Sequence, residues 1–289
     1  MGRRNIFILF RSIGKYRFGI LGAFLTMIMI VSALLAPFLS PLDPYDQDIS
    51  KRFTPPSWHE QGNMKYLLGT DHVGRDTLSR LIYGSRISLS VGLFAVLISA
   101  NIGIIFGLLA GYYSGFIDSM ISYLIDLMLS VPYILLAMAL VATFGASYVN
   151  VFIVLGITGW PLYARVLRSE VLRIREMEYI RAARALGMKK RRIIFLEILP
   201  NLLNNILVIG TIQTAQVIIA ESFLSFLGLG VQPPIPSWGG MLAEGRENML
   251  EMWWLAAFPG IAIFLTALGM NLLGDGLRDF FDPFKKKQA

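Results

Sequence analysis

The sequence predicts an all-α membrane protein with six transmembrane helices, and three observations carry that prediction. Of 289 residues, 55% are hydrophobic and only 16% are charged, whereas soluble domains carry about 25% charged residues. Charge-free stretches long enough to cross a bilayer recur along the chain. The Lys and Arg residues are concentrated in segments that six crossings would place on one side of the membrane.

Five charge-free stretches define the crossings, because a hydrocarbon core of about 30 Å needs roughly 20 apolar residues in a helix. They are Phe18–Leu42, Ile87–Ile117, Leu127–Ala164, Ile198–Ala220 and Met252–Gly274. The third has 38 residues, which suits two spans, and Gly145, Ser147 and Asn150 favour a turn over 144–150. The predicted spans are residues 18–40, 88–112, 120–143, 148–165, 201–222 and 253–275.

One of these five stretches, and one further charge-free stretch, have a competing interpretation. The first could be a cleavable signal peptide, but it exceeds the apolar core of about 7–15 residues in such signals, so we expect it to remain a membrane helix. The stretch Ser222–Ala243 is also free of charge. It contains Pro233, Pro234 and Pro236, and so broken a backbone could not satisfy its hydrogen bonds in lipid. We therefore predict a re-entrant or interfacial loop in this stretch, and we expect the Pro-rich loop 228–252 to lie outside.

The basic residues set the predicted orientation, since cytoplasmic loops of membrane proteins are rich in Lys and Arg. Of the 26 basic residues, 19 lie in segments 1–17, 165–200 and 277–289. The predicted order is a cytoplasmic N-terminal interfacial segment (1–17), a first helix (18–40), an external segment (41–87), a five-helix core (88–276) with a cytoplasmic loop (166–200), and a cytoplasmic tail (277–289). Because spans flank the Arg-rich loop closely, a nucleic-acid partner is not expected.

The cytoplasmic loop is the most informative stretch for function. Residues 176–186 are good helix formers with acidic residues near their start, and Gly187 can adopt the left-handed geometry that ends a helix. A second amphipathic helix should follow, with Pro200 marking the turn into the fifth span. The small side chains of Ala182 and Ala183 permit close approach by a partner. The residues alone fit a solvated, membrane-hugging hairpin equally well.

The loop resembles the cytoplasmic EAA loop of the membrane subunits of binding-protein-dependent ABC importers. The resemblance rests on the spacing of Ala182, Ala183, Gly187, Leu199 and Pro200. The pattern differs at two positions, where Arg181 stands in place of a leading Glu and Glu197 in place of a common apolar residue.

Three further stretches resemble one subfamily, the C-type permease subunits of dipeptide, oligopeptide and nickel importers. They run from Leu68 to Ser88, from Glu221 to Gly239 and from Pro259 to Pro283. With the number of spans, the resemblance covers nearly the whole chain.

The resemblance implies a type I ABC importer permease fold with a cytoplasmic coupling-helix loop, in the inner (cytoplasmic) membrane of a prokaryote. The implied partners are a homologous second permease subunit, one or two ABC ATPase subunits, an extracytoplasmic solute-binding protein and a peptide substrate. ATPase docking would fall on Glu178, Arg181, Ala182, Ala183, Leu186 and Gly187. The sequence contains no Gly-x-x-x-x-Gly-Lys-Ser/Thr phosphate loop, so we expect ATP hydrolysis by the partners and no enzymatic activity of this chain.

Polar residues inside the predicted spans are candidates for the translocation pathway, since intramembrane charges usually face the bundle interior or a wet cavity. These candidates are Asp126, Gln213, Gln216 and Glu221. For each, a hydrogen bond between helices, worth about 1 kcal/mol, is the competing interpretation. Gly103, Gly107 and Gly111 repeat every four residues and predict close packing of the second span against another helix.

The external segment carries six basic and six acidic residues between positions 43 and 87. We predict a folded cap that either contacts the binding protein or only stabilises the pore mouth. With no Cys and two His, no metal site and no cofactor are expected. Nickel complexes, glutathione and oligosaccharides stay open as solutes. An ion-coupled secondary carrier is the alternative from another class, but it would need paired intramembrane charges.

Overall fold

The computed structural model describes residues 17–281, and the elements within that range are helical. The longer helices are α1 (Arg17–Leu34), α2 (Thr77–Tyr113), α3 (Gly115–Ser130), α4 (Tyr133–Phe144), α5 (Tyr148–Ile174), α6 (Glu178–Ala185), α7 (Leu199–Phe226), α8 (Trp238–Gly245) and α9 (Trp254–Phe281). Residues 1–16 and 282–289, which hold most of the predicted N-terminal segment and tail, lie outside the described residues.

Five helices are long and apolar enough to cross a membrane, and the pair α3–α4 makes a sixth crossing if it is one bent span. This agrees with the six predicted crossings. Several helices continue past the predicted spans, because absence of charge marks the apolar zone and not the helix end. Helix α5 runs on to Ile174. Helix α2 begins at Thr77, where the carboxylate of Asp76 accepts a hydrogen bond from the N–H of Ser79 at 2.8 Å.

The third predicted span, 120–143, is not a single helix. Helices α3 and α4 meet at 86°. Pro132 has no N–H with which to continue α3, and it holds Val131 in an extended conformation with φ −100° and ψ 131°. Because Pro132 carries no charge, a search for charge-free stretches does not detect the break.

The bent pair nevertheless follows α5 along most of its length. Near the end of α5, Asp118 of α3 pairs with Arg168 of α5 at 2.5 Å. Farther along, the hydroxyl of Tyr133 in α4 donates to the carbonyl of Leu155 at 3.3 Å. Helix α4 then ends at the turn predicted over 144–150, where α5 begins, so that predicted turn is confirmed. These contacts along α5 favour a broken crossing over a re-entrant loop.

Helices α2 and α5 pack closely through the predicted glycine face. A Cβ added at Gly107 would lie 2.8 Å from the Cβ of Leu167, and one at Gly111 would lie 2.6 Å from the Cβ of Val171. Gly103 continues the pattern one turn earlier. Real Cβ atoms do not approach so closely, so the prediction of close helix packing is confirmed.

Helix α1 lies at the edge of the described helices and packs mainly against α9. A Cβ added at Gly19 would lie 2.7 Å from the Cα of Gly276, and Gly22 faces the backbone of Leu272 at a similar distance. Much of the rest of α1 is exposed, as expected of a helix that faces lipid or another subunit.

The Pro-rich stretch 228–252 is more ordered than the predicted loop, since it contains α8. The hydroxyl of Ser237 accepts from the N–H of Gly240 at 3.1 Å and begins that helix. Trp238 is buried, and its indole Nε1 donates to the carbonyl of Leu81 in α2 at 3.0 Å. In the external segment, the ring of Trp58 meets that of Phe258 in α9 edge-on, with centroids 6.2 Å apart. Both stretches, which are predicted to be external, therefore form one layer, the external layer, over the N-terminal ends of α2 and α9.

Candidate functional site in the hairpin between α5 and α7

A helical hairpin connects α5 with α7 and contains every residue of the predicted docking set. Helix α6 ends in a Schellman arrangement: the N–H of Gly187 donates to the carbonyl of Arg184 at 3.0 Å, and the N–H of Met188 donates to that of Ala183 at 3.0 Å. Gly187 has φ +79°, a conformation that costs glycine little. The predicted helix end at Gly187 is confirmed.

One face of α6 is anchored in the protein core. Ile180 is fully buried, and so are Ile193 and Ile198 on the second arm of the hairpin, in one apolar cluster with Ile174 at the end of α5. Burying one such side chain contributes roughly 1.5–3 kcal/mol. The position of the short helix is therefore determined by core packing, although eight residues would not form a stable helix alone.

The opposite face and the tip of the hairpin are bare. Leu186 is 88% exposed, Ala182 is exposed and Ala183 is half-buried. The remaining residues of the predicted docking set, Glu178, Arg181 and Gly187, are exposed as well. Leu186 and the small side chains beside it form an apolar contact surface, while the other face of α6 is packed. No other residue of the described chain covers this surface.

Charged side chains brace the base of the hairpin. Glu176 pairs with Arg181 at 3.1 Å and with Arg175 at 3.2 Å. The hydrogen bond from Arg181, together with the charge of Arg175, lowers the pKa of the Glu176 carboxyl. Because Glu176 is exposed to solvent, these pairs orient the side chains and add little to stability.

The hairpin is also tied to the C-terminal end of α2. A guanidinium nitrogen of Arg175 donates to the carbonyl of Gly111 at 3.0 Å and also contacts the hydroxyl of Ser114. The guanidinium of Arg184 lies 5.5 Å from the ring centroid of Tyr112. Cation–π contacts of this kind contribute about 0.5–1 kcal/mol at exposed sites. A displacement of α6 would therefore pull on α2 as well as on α5.

The predicted turn at Pro200 is wrong, because the second arm runs into α7 without a turn. A helical turn at Lys190–Arg192 leads into a π-helical segment, Ile193–Ile198, and then into α7. Pro200 stands in the first turn of α7, where a missing N–H is tolerated. The N–H of Leu199 donates five residues back, to Ile194. This wider turn accommodates the proline, and such π segments often lie at functional sites.

Two of the predicted pathway residues are inside the protein. Glu221 is fully buried and accepts from the hydroxyl of Ser225 at 2.8 Å. Gln213 is 3% exposed, and its Nε2 donates to the carbonyl of Gly159 in α5 at 3.0 Å. Gln213 thus makes the hydrogen bond between helices that was the competing interpretation, whereas the bond from Ser225 to Glu221 lies within α7.

The other two predicted pathway residues are on the surface of the described chain. The carboxylate of Asp126 lies 2.5 Å from the guanidinium of Arg165, with 70% of the Asp126 side chain exposed. Gln216 lies on an exposed stripe of α7 with Ile219 and Phe223. These two residues, rather than Gln213 and Glu221, could face a partner subunit or a solute.

A buried ion cluster in the external layer was not predicted. Asp71 pairs with Arg75 at 2.6 Å and also with Arg80, and Glu244 of α8 pairs with Arg75 at 3.0 Å and with Arg80 at 2.5 Å. The four-residue spacing of Asp71 and Arg75 is visible in the sequence, but no local signal connects that stretch with Glu244. The cluster joins the end of the external segment to α8.

The arginines control the titration of this cluster. Burial raises the pKa of the Asp71 carboxyl, but the charges of Arg80 and Arg75 outweigh it and hold that pKa below its usual range. The Glu244 carboxyl behaves in the same way. Asp71, His72 and Glu244 place ligand atoms within 4.8 Å of one another. A metal ion there would compete with two guanidinium groups that already neutralise the carboxylates.

Two family models match the sequence. The model described as binding-protein-dependent transport system inner membrane component matches residues 103–287. The model described as N-terminal TM domain of oligopeptide transport permease C matches residues 10–56. The first match covers more than half of the chain, including the hairpin.

Two curated proteins of known family and one solved structure are also similar to this chain. A di/tripeptide transport system permease protein of Pseudomonas aeruginosa is 44% identical over 94% of this chain and 90% of the relative. A dipeptide transport system permease protein of Escherichia coli K12 is 43% identical over 93% of this chain and 89% of the relative. A chain from inward-facing structures of the MetNI methionine ABC transporter has a TM-score of 0.55 at 16% identity, over 68% of this chain and 96% of that chain. That last likeness shows the fold alone.

Proposed function

The chain belongs to the family of binding-protein-dependent transport system inner membrane components, and from that premise we propose that it passes peptides and is driven by an ATPase docked on the tip of the hairpin. Members of this family are permease subunits of ABC importers, and ATP hydrolysis is performed by partner subunits. The chain is accordingly a multi-pass protein of the bacterial inner membrane. The bare apolar tip at Leu186 is the single observation that carries the docking proposal.

The proposed solutes are di- and oligopeptides, because the relatives with more than 40% identity are named for peptide transport. Nickel complexes, glutathione and oligosaccharides are the alternatives that a transport assay separates. A pathway that accepts many side chains should make few specific side-chain contacts, and the burial of Gln213 and Glu221 fits that expectation. Asp126 and Gln216 are the proposed pathway residues that a solute could reach.

Docking on the hairpin follows from its two unlike faces. The buried face with Ile180 fixes the position of α6, and the bare face presents Ala182, Ala183 and Leu186. A groove in the ATPase that receives this short helix would bury Leu186, and the small alanines let the two backbones approach closely. Glu178 and Arg181 would lie at the rim, where charged pairs set orientation more than affinity.

Transmission from the ATPase to the membrane uses three connections. Helix α6 is joined to α5 directly and to α7 through the uninterrupted helical second arm. Arg175 and Arg184 connect it to the end of α2. When the ATPases close on ATP, the hairpin would move with them, and the cytoplasmic ends of these three helices would move together. Helix shifts at subunit interfaces are a common means of such switching.

The remaining assembly is proposed from the family. Both termini and the hairpin face the cytoplasm, in agreement with the distribution of Lys and Arg. A homologous permease chain completes the pathway, one or two kinds of ATPase bind below, and an extracytoplasmic solute-binding protein delivers the solute. The external layer formed by the cap and α8 is the proposed contact for that protein.

Reconstituted transport tests the proposal. The complete importer is reconstituted in liposomes, with its binding protein and ATP on opposite sides of the membrane. It should take up a radiolabelled dipeptide. Unlabelled tripeptide should compete with this uptake, whereas nickel or glutathione should not. Leu186→Asp should abolish ATP-driven uptake and loosen the ATPase. Leu250→Asp is the matched control for attachment of the ATPase, which it should leave unchanged, because Leu250 is 97% exposed but lies in the stretch 228–252, predicted to be external. Competition by nickel or glutathione and not by peptide would contradict the solute assignment.

A further inference from the structure

A basic and apolar patch lies on the second arm of the hairpin, outside the proposed docking set. The patch consists of Lys189, Arg191, Arg192, Phe195 and Leu196, which line one shallow groove. All five side chains are exposed. The guanidinium of Arg191 lies 5.9 Å from the ring centroid of Phe195, so charge and apolar surface are presented side by side.

The depth of the patch follows from the length of the helix that carries it. The helical path from Lys190 to Phe226 has 37 residues and measures about 55 Å, far more than the hydrocarbon core of about 30 Å. The charge-free stretch of this helix begins at Ile198. Phe195 therefore stands only about 4.5 Å outside the apolar zone, within the layer of lipid headgroups.

A second helix places the patch at the same level. The ammonium group of Lys190, next to the patch, lies 5.7 Å from the ring centroid of Tyr113 at the end of α2. Tyr113 belongs to the charge-free stretch Ile87–Ile117, and Tyr residues at the end of a membrane helix usually mark the interface with water. The patch therefore borders the bilayer rather than projecting into the cytoplasm as Leu186 does.

The three cations of the patch have no carboxylate partner in the described chain. The ion pairs of the described cytoplasmic residues are formed by Arg165, Arg168, Arg173, Arg175 and Arg181. The patch thus combines unneutralised positive charge with two exposed apolar side chains at headgroup depth. Basic side chains above apolar ones fit an anionic lipid surface, with the phosphates against the cations and the acyl chains against the apolar groups.

We propose that this patch binds anionic phospholipids of the cytoplasmic leaflet and anchors the second arm of the hairpin to the membrane surface. The tip of the hairpin stays free for the ATPase, and the lipid contact keeps the second arm at the membrane surface while the hairpin moves. A protein partner would be a less suitable occupant of the patch, because a cytosolic subunit would have to enter the headgroup layer to reach Phe195.

Quenching by brominated lipids tests the proposal in the assembled importer, ATPases included. Phe195→Trp keeps an aromatic ring beside Arg191 and reports the lipid at that position, and the fluorescence of the five native Trp residues is subtracted with the unaltered complex. A basic residue near an anionic surface strengthens the attraction to that surface by about fivefold, so phosphatidylglycerol should be favoured over phosphatidylcholine beside the three cations. Brominated phosphatidylglycerol should quench the new Trp several-fold more effectively than brominated phosphatidylcholine at equal mole fraction.

Two comparisons make the test decisive. Lys189→Gln, Arg191→Gln and Arg192→Gln together should bring the preference for phosphatidylglycerol to about one. Lys51→Gln, Arg52→Gln and Lys65→Gln together remove the same charge from exposed positions of the external segment and should leave the preference unchanged. Quenching by neither lipid would overturn the proposal. Quenching that disappears when the ATPases bind would assign the patch to a protein interface instead.

Discussion

Replacing Glu244 by Gln should destabilise the external layer, because two buried arginines would then share one carboxylate. Glu244 accepts hydrogen bonds at 3.0 Å from both Arg75 and Arg80, and only Asp71 would remain to neutralise them. Removing one partner from a buried ion pair costs about 3–5 kcal/mol. The Glu244 side chain is 19% exposed and Gln keeps its size and one acceptor, so we expect the lower end, about 3 kcal/mol.

Thermal unfolding of the purified importer complex measures this loss. A change of 1 kcal/mol shifts Tm by about 2–4 °C in a domain of about 150–250 residues and by less in a larger one, so Glu244→Gln should lower Tm by at most about 6–12 °C. Glu247→Gln is the matched control, because Glu247 is an exposed carboxylate on the same external stretch. A Tm for Glu244→Gln that equals the Tm of Glu247→Gln would refute the claim that the cluster holds the layer together.

Three further predictions concern acid, packing and the pathway. The pKa values of Asp71 and Glu244 are lower in the folded protein than in the unfolded chain, so both carboxylates stabilise the fold above their unfolded pKa values. Tm should therefore fall once the pH drops below about 4, and it should fall less steeply in Glu244→Gln. An equal dependence of Tm on pH in the two proteins would contradict this. Gly107→Ala should lower Tm by several degrees through overpacking of α2 against α5, whereas Leu109→Ala on the exposed side should not. Glu221→Gln should reduce Tm but leave the peptide uptake of the folded importer unchanged; selective loss of uptake would return Glu221 to the pathway.

The helical architecture could be predicted from the sequence because membrane helices follow from local properties. A charge-free stretch of sufficient length has few alternatives to a helix in lipid, and the turn over 144–150 and the helix end at Gly187 depend on residues within the turn itself. The glycine face of α2 was predictable for the same reason. The boundaries of α2 and α5 were not predictable, because those helices continue beyond the apolar zone, where caps and tertiary contacts determine the helix ends.

The misses share a physical cause, which is that they depend on contacts between distant parts of the chain. Pro132 and Pro200 have the same backbone chemistry, yet one bends its span by 86° and the other lies in the first turn of a helix. The outcome is decided by the packing around each proline. The pairing of Glu244 with Arg80 joins residues 164 positions apart. The burial of Gln213 and Glu221 likewise requires the neighbouring helices.

The direct test of the central claim is the accessibility of the hairpin tip. The chain has no Cys, so Leu186→Cys provides a single site for a membrane-impermeant maleimide. We predict rapid labelling in inside-out vesicles that lack the ATPase, and strong protection once the ATPase is assembled. Labelling in right-side-out vesicles, or equal labelling with and without the ATPase, would contradict the assignment of this hairpin as the site where the motor grips the permease.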